Sequence, residues 1–67
     1  MNIQFHEQLK ILRQERNLSL EELSKKTQVG VDKLASYEKG ELTPSIQTIL
    51  KLSTVLEVPA SNLMDGL

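Results

Sequence analysis

Apolar residues recur every three or four positions along most of the chain, and this spacing constrains its fold more than any other feature. Phe5, Leu9 and Leu12, for example, lie at positions i, i+4 and i+7, which share one face of an α-helix. A helix with such a stripe must bury it against other elements. The spacing therefore predicts an all-α protein.

Glycine, proline and asparagine interrupt this pattern and divide it into short helices. Asn17 suits the end of the first helix, Gly40 the end of the third, and Pro59 the end of the fourth. The predicted helices cover about residues 3–16, 20–27, 31–39, 45–56 and 60–64. We expect them to form one compact five-helix bundle, a single domain over residues 1–67.

The clearest local signal is the sequence Ser19-Leu20-Glu21-Glu22. It has the pattern of a capping box. In that arrangement the Ser19 hydroxyl accepts a hydrogen bond from the Glu22 amide, and the Glu22 carboxylate accepts one from the Ser19 amide. A helix is therefore predicted to begin at Leu20.

The fourth predicted helix carries many apolar residues. We expect its buried stripe to consist of five positions at helical spacing: Ile46, Ile49, Leu50, Ser53 and Leu56. Five further apolar residues exceed what a core of this size needs: Leu52, Val55, Val58, Met64 and Leu67. The last helix is expected to fold Leu63 back onto the core.

The short length argues against catalysis. A domain of 67 residues buries only about 60% of the surface that its unfolded chain exposes, which leaves little room for a catalytic pocket beside the core. The chain has no cysteine and a single histidine, so it can build neither a disulfide nor a Cys/His metal site. We predict no enzyme activity, no cofactor, no bound metal and no small-molecule ligand.

The sequence also lacks the features of a membrane protein. Its apolar stretches are far shorter than the roughly 20 residues that a membrane-spanning helix needs. Its first residues do not have the composition of a secretory signal. We therefore expect a cytoplasmic protein without a membrane partner.

Residues 20–39 have the length of a helix-turn-helix unit, in which two short helices are joined by a turn of three or four residues. Five residues of this segment are spaced to fill the wedge between its helices: Leu23, Thr27, Val29, Leu34 and Tyr37. Gly30 is an acceptable N-cap for the second helix of the unit. The second and third predicted helices are therefore expected to pack across a tight turn.

Several short motifs occur in a specific order over most of the chain. They are Leu12-Arg13, Leu18-Ser19, Glu22-Leu23, Tyr37-Glu38-Lys39-Gly40, Pro44-Ser45 and the run over residues 46–58. In this order they resemble the five-helix DNA-binding domain of the phage repressor and Cro class, also called the Xre type. The resemblance implies a fold like that of lambda repressor, with a helix-turn-helix formed by the second and third helices. It also implies a transcriptional regulator that binds double-stranded DNA.

The resemblance further implies roles for individual residues. It makes the third helix the recognition helix, which lies in the major groove with side chains near its N-terminus at the base edges. Those base-reading positions are Val31, Asp32, Lys33 and Ser36. The positions that face phosphates are Ser19, Lys39 and Thr43. Arg13 and Glu38 match a pair that forms a salt bridge between the first helix and the end of the recognition helix.

Some positions depart from the usual residues of this class. Leu20 replaces the usual glutamine, and Gln28 replaces the usual glycine in the turn, which predicts a turn strained by about 1 kcal/mol. Asp32 introduces a carboxylate where a phosphate-rich groove is expected, although it could accept a hydrogen bond from the amino group of cytosine. Charge is uneven as well. Residues 10–39 hold seven basic and five acidic side chains, whereas residues 40–67 carry a net charge of −2.

Two functions are consistent with these features. The first is a transcriptional repressor that binds a palindromic operator as a homodimer. The dimer contact would use those apolar residues of the last helix that the core does not bury, and the candidates are Leu63, Met64 and Leu67. The second is a protein-interaction module of the same fold, which pairs with another regulator and binds DNA weakly or not at all. Asp32, Leu20 and the net charge of −1 favour this second function.

Overall fold

A computed structural model describes residues 3–67 of the chain. In this range the chain forms five α-helices and no strand: α1 (Phe5–Glu15), α2 (Leu20–Thr27), α3 (Val31–Glu38), α4 (Ile46–Leu56) and α5 (Ala60–Met64). The predicted all-α fold and the order of the helices are confirmed. None of these helices has the length and apolar character that crossing a bilayer requires. Met1 and Asn2, which belong to the predicted domain and to the segment tested for a secretory signal, lie outside the described residues.

The helix boundaries agree with the prediction to within two residues. α1 begins at Phe5 rather than at residue 3, because Gln4 has extended backbone angles and is the N-cap. After α1 the chain turns through Asn17, which has a left-handed φ of 56°. α3 and α4 are each one residue shorter than predicted, because Lys39 is the C-cap of α3 and Ser45 is the N-cap of α4.

Ser19 caps α2 as the sequence predicts. Its hydroxyl oxygen accepts a hydrogen bond from the Glu22 amide at 3.0 Å, and its own amide donates one to Oε1 of Glu22 at 2.9 Å. These hydrogen bonds with Ser19 stabilise the ionised carboxylate and lower the pKa of Glu22 below its ordinary value of 4.5. The charge of Glu22 therefore helps to hold the start of α2.

One apolar cluster, drawn from all five helices and the turn between α2 and α3, forms the core. Its members are Phe5, Leu9, Leu23, Val29, Leu34, Tyr37, Ile49, Leu52, Leu56 and Leu63. All five residues that the sequence assigns to the wedge of the helix-turn-helix unit are buried. α1 packs against α3 and α5, and α2 packs against α3 and α4. Each buried leucine contributes about 2 kcal/mol to this core.

α5 brings the end of the chain back to α1. The Phe5 amide donates a hydrogen bond to the carbonyl oxygen of Gly66 at 2.8 Å. A Cβ on Gly66 would lie 2.8 Å from this amide nitrogen and 2.9 Å from the carbonyl oxygen of Ile3. Only glycine permits so close an approach of two backbone segments. The contact closes the bundle on the side where Leu63 enters the core.

α4 buries three of the five residues predicted for its stripe, which are Ile49, Ser53 and Leu56, and it buries Leu52 in addition. Ile46 and Leu50, which the prediction placed in the core, are 65% and 50% exposed. The prediction was wrong for Ile46 and Leu50, and in treating Leu52 as surplus to the core, because the apolar residues of α4 fit two overlapping helical faces. Packing against α2 and α5 selects the face that contains Leu52.

Replacing Glu22 with glutamine tests the charged part of the α2 cap. Because the pKa of Glu22 is lowered in the folded state, its contribution to stability is present above the ordinary value of 4.5 and is lost as the pH falls through the lower value. We expect the unfolding free energy of the unmodified protein to fall further, between about pH 6 and about pH 3, than that of Glu22→Gln. Urea denaturation at the two pH values measures both changes.

Glu21→Gln is the matched control. It removes the same charge from the same helical turn but leaves the hydrogen bonds with Ser19 in place. This variant should therefore keep most of the pH dependence. An equal loss in both variants would mean that the helix dipole, and not the capping box, stabilises the carboxylate of Glu22.

Candidate nucleic-acid interface

Three side-chain hydrogen bonds hold the turn between α2 and α3. The Ser24 hydroxyl donates to the carbonyl oxygen of Val29 at 2.6 Å. The Thr27 hydroxyl donates to the carbonyl oxygen of Leu23 at 2.8 Å and accepts from the Val29 amide at 3.3 Å. Because Ser24 and Thr27 belong to α2, these bonds fix the direction in which α3 leaves the turn.

Gln28 ends α2 in the left-handed conformation, with a φ of 60° and a ψ of 27°. A side chain in this region costs about 1 kcal/mol relative to glycine, as the sequence analysis expects of this position. The Gln28 amide donates a hydrogen bond to the carbonyl oxygen of Ser24 at 2.7 Å. Ser24 therefore contacts the turn through both its backbone and its side chain, which offsets part of the strain.

The first turn of α3 is accessible. The four residues predicted to read bases are Val31, Asp32, Lys33 and Ser36, and none of them is buried. Leu34 and Tyr37 face the core instead. Asp32 and Lys33 are exposed. Asp32 lies in the first turn of α3, at the positive end of the helix dipole, where a carboxylate is favourable.

An open groove separates the first turn of α3 from α4. The groove is lined by Val31, Asp32 and Lys33 from α3 and by Thr48 and Lys51 from α4. The buried Tyr37 also contributes to its wall. A Cβ on Gly30 would meet no atom within 4 Å, so the groove is open beside the N-cap of α3. Three predicted base-reading residues therefore share one groove with two side chains that the sequence analysis missed.

Lys51 could have been singled out from its charge and its position in the sequence. It is the only basic residue among residues 40–67. Because Lys51 is distant from residues 31–33 in the sequence, its place in the same groove depends on how α4 and α3 are arranged in the fold. Ser36, by contrast, does not line this groove.

The three residues predicted to face phosphates lie at separate points. Ser19 is exposed at the N-cap of α2, Lys39 at the C-cap of α3, and Thr43 in the loop before α4. α3 has eight residues and is about 12 Å long, so Lys39 and Asp32 lie near opposite ends of the helix. None of the three candidate phosphate contacts lines the groove that holds Asp32.

Arg13 and Glu38 form a bidentate salt bridge between α1 and the end of α3. Nε of Arg13 donates to Oε2 of Glu38 at 2.7 Å, and Nη2 donates to Oε1 at 3.1 Å. Nη1 donates to the carbonyl oxygen of Leu18 at 2.8 Å. The Arg13 and Glu38 side chains are only 14% and 9% exposed. The hydrogen bonds with Glu38 raise the pKa of Arg13 above its ordinary value, although burial opposes this.

The described residues do not assemble a metal site. Within residues 3–67, no group of three or more His, Cys, Asp or Glu side chains is placed to hold an ion. His6 lies instead beside Gly40, where a Cβ would be 3.4 Å from the imidazole ring. Gly40 has a φ of 76° and follows Lys39, the C-cap of α3. The histidine therefore packs against the chain just after α3.

The residues predicted for a dimer contact differ in their exposure. Leu63 is completely buried in the core of its own chain, so assigning it to an interface was wrong. Met64 and Leu67 are 37% and 59% exposed. Ile46 and Leu50, which were predicted in the core and not at an interface, lie one turn apart on the exposed face of α4. The excess of apolar residues in the fourth predicted helix indicated an exposed apolar face, but the prediction attributed that excess to Leu52, Val55 and Val58.

A tight turn followed by an accessible and firmly held helix is the arrangement of helix-turn-helix DNA-binding proteins. Over residues 9–63 the sequence matches a family model described as helix-turn-helix. The chain therefore belongs to the helix-turn-helix family, in its phage repressor and Cro type. The curated relatives that it matches are transcriptional regulators and not enzymes.

Two curated relatives show the extent of the similarity. The chain is 33% identical over 60 residues to the transcriptional regulator DdrOP3 of Deinococcus deserti, and 35% identical over 60 residues to the cryptic phage CTXphi repressor RstR of Vibrio cholerae. Each alignment covers 90% of this chain, but 46% of DdrOP3 and 54% of RstR. The chain thus spans about half the length of the curated relatives it matches.

A solved structure shows the same fold. The restriction-modification controller protein C.AhdI from Aeromonas hydrophila superposes with a TM-score of 0.83 and is 30% identical in sequence. The superposition covers 88% of this chain and 89% of that protein. The family resemblance that the sequence motifs predict is thereby confirmed, together with the five-helix fold.

Replacing Arg13 or Glu38 with alanine should destabilise the fold. Either change leaves the partner buried and charged without a counter-ion. We expect a loss of about 2 to 3 kcal/mol, more than the 0 to 1 kcal/mol that an exposed pair contributes. The double variant should lose less than the sum, because it leaves neither charge unpaired. Urea denaturation of the four proteins measures this coupling.

The exposed pair of Arg16 and Glu57, separated by 3.6 Å, is the control. Its coupling in the same double-mutant cycle should stay below about 1 kcal/mol. Additive losses at Arg13 and Glu38 would contradict the proposed contribution of this pair.

Proposed function

We propose that this domain is a sequence-specific transcriptional repressor that binds a palindromic operator as a homodimer. Each protomer places α3 in the major groove, and the two half-sites lie about 34 Å apart, which is one turn of the duplex. A dimer bound over a promoter blocks access to it. Repression of this kind needs no catalytic step.

The observation that carries this proposal is the accessible first turn of α3 on a helix held at both ends. Hydrogen bonds from Ser24 and Thr27 fix the turn before it. Arg13 holds Glu38 at its other end. A helix fixed in this way loses little conformational entropy on binding, which favours affinity. Its candidates for reading bases are Val31, Asp32, Lys33 and Ser36.

Contacts to the DNA backbone are assigned to Ser19, Lys39 and Thr43. Within residues 3–67 the Lys39 ammonium has no acidic partner within 4.0 Å, so it is available to a phosphate. The Ser19 hydroxyl accepts the hydrogen bond of the cap but retains its own proton to donate. Contacts of this kind supply affinity that falls as the salt concentration rises.

Exposed apolar residues on the last two helices support the homodimer. Ile46 and Leu50 lie on α4, and Met64 lies on α5, which packs against α4. Leu67 shares a groove with Leu42 of the loop before α4. Groups of exposed apolar side chains mark protein interfaces. We assign a second copy of the chain to the exposed face of α4 that carries Ile46 and Leu50, because a two-fold symmetric dimer matches the symmetry of a palindromic operator.

The alternative function is a protein-interaction module that pairs with another regulator. Asp32 favours it, because in the described residues no Lys or Arg nitrogen lies within 4.0 Å of its carboxylate and DNA phosphates repel an unpaired carboxylate. Leu20 and the net charge of −1 also reduce the attraction to DNA. The two functions differ in salt dependence, since binding through phosphates weakens steeply with salt and an apolar protein contact does not.

Asp32→Ala separates the two functions. If α3 reads an operator, Asp32 accepts a hydrogen bond from a base, and its removal should lower the preference for the operator by about 1 to 3 kcal/mol. Affinity for unrelated DNA should rise slightly, because a repulsive charge is gone. The measurement is binding of both proteins to a duplex selected from a random pool and to a scrambled duplex, at two salt concentrations.

Lys39→Ala is the comparison in this experiment. It should weaken binding to both duplexes equally and reduce the slope of log affinity against log salt by about 1, because one phosphate contact is lost. The repressor proposal is contradicted if Asp32→Ala improves binding to both duplexes and the unmodified protein prefers neither. That result would support the protein-interaction module.

The dimer contact is tested by Ile46→Ser and Leu50→Ser. Both side chains are exposed, so the changes should leave the folded monomer intact but shift the homodimer toward monomer. Ile11→Ser, at an exposed apolar position of α1, is the control and should leave the association unchanged. Sedimentation equilibrium measures the dissociation constants. A purely monomeric unmodified protein at high micromolar concentration would contradict the proposed dimer.

A further inference from the structure

Lys51 has no role in the functions assigned above, yet it lies beside the recognition helix. It extends from α4 to the groove that also holds Asp32 and Lys33. It is exposed and contributes nothing to the apolar core. The rest of the chain from residue 40 onward contains acidic but no other basic side chains. The single positive charge of this half of the chain is therefore placed next to the predicted base-reading surface.

Asp32 and Lys51 are both available for a new contact. Three ion pairs occur within residues 3–67, and neither residue takes part in them. The groove between them is open, because the N-cap of α3 is Gly30, which has no side chain. The buried Tyr37 lies in the wall of this groove, so that part of the wall is held in place by the core. A lysine side chain is long and flexible enough to move its charge within such a groove.

A neighbouring cation can offset the repulsion between the Asp32 carboxylate and DNA phosphates. When α3 lies in the major groove, the carboxylate comes near the phosphates of both strands and is repelled by them. Charges interact strongly only within about 8 Å at physiological ionic strength, so a cation that offsets this repulsion must lie close to Asp32. Lys33 is adjacent to Asp32 on the helix, but neighbouring residues of a helix do not face each other. Lys51 approaches the same groove from across it.

We propose that Lys51 is a specificity-determining residue whose ammonium group neutralises Asp32 in the DNA complex. The carboxylate then accepts a hydrogen bond from a base without a net repulsion from the backbone. This inference rests on the proposed repressor function. It gives α4 a part in sequence reading, although α4 itself does not enter the major groove.

A double-mutant cycle on DNA binding tests this proposal. The four proteins are the unmodified chain, Lys51→Gln, Asp32→Asn and the double variant. Asparagine keeps the shape of the Asp32 side chain and an oxygen that can accept a hydrogen bond, so the cycle isolates the charge. Lys10→Gln is the matched control, since it removes one positive charge from an exposed position on α1, outside the groove. Dissociation constants are measured on the selected and the scrambled duplex.

Lys51→Gln should weaken binding to the selected duplex roughly threefold to fivefold beyond the effect of Lys10→Gln, the range of a partly screened ion pair. In the Asp32→Asn background it should weaken binding no more than Lys10→Gln does. The ratio of affinities for the selected and scrambled duplexes should fall only when Asp32 is charged. Circular dichroism melting checks that the variants remain folded, as expected for changes at exposed side chains.

Two outcomes overturn the proposal while leaving the repressor function in place. If Lys51→Gln and Asp32→Asn have additive effects, Lys51 contacts DNA independently of Asp32. If Lys51→Gln binds the selected duplex more tightly, Lys51 holds the carboxylate away from the bases. A protein that does not distinguish the two duplexes in any form overturns the repressor function, and the role of Lys51 with it.

Discussion

One largely buried ion pair joins the parts of this small protein that must keep a fixed orientation. Arg13 on α1 donates two hydrogen bonds to Glu38 at the end of α3 and a third to the carbonyl oxygen of Leu18, just before α2. Arginine suits this position because its planar guanidinium group holds five N–H donors in a fixed geometry. Three segments of the chain therefore meet at one side chain, and the orientation of α3 depends on a residue of another helix.

The ion pair also explains how a small core holds α3 in place. α3 contributes only Leu34 and Tyr37 to the buried cluster. Two buried apolar side chains alone constrain the sliding and rotation of a helix poorly. Directional hydrogen bonds supply what these contacts lack. Ser24 and Thr27 fix the turn before α3, and Arg13 fixes its end. The opposite face of the helix has no part in the core and remains accessible.

Signals between residues close in sequence predicted most of the fold. The capping box at Ser19 identified the start of α2, and Gly40 follows α3 with the positive φ that such a position favours. The buried face of α4 was predicted only in part, because the choice between Leu52 and Leu50 depends on where α2 and α5 lie. The same limit applies to Lys51, whose neighbours on α3 are distant in sequence. The expectation that α5 folds Leu63 back onto the core is confirmed, and only its assignment to the dimer contact was wrong.

The net charge of −1 says little about how this domain meets DNA at close range. Screening confines each charge to about 8 Å, so a phosphate beside α3 responds to Asp32, Lys33 and Lys39 rather than to the sum over the chain. What a low net charge does reduce is the attraction to DNA of any sequence. Specificity is the difference between the affinities for an operator and for other sequences. A nearly neutral domain with its local charges arranged around α3 therefore gains discrimination at the expense of general affinity. The proposed homodimer would restore that affinity, because each protomer would add its own contacts at one half-site of a palindrome.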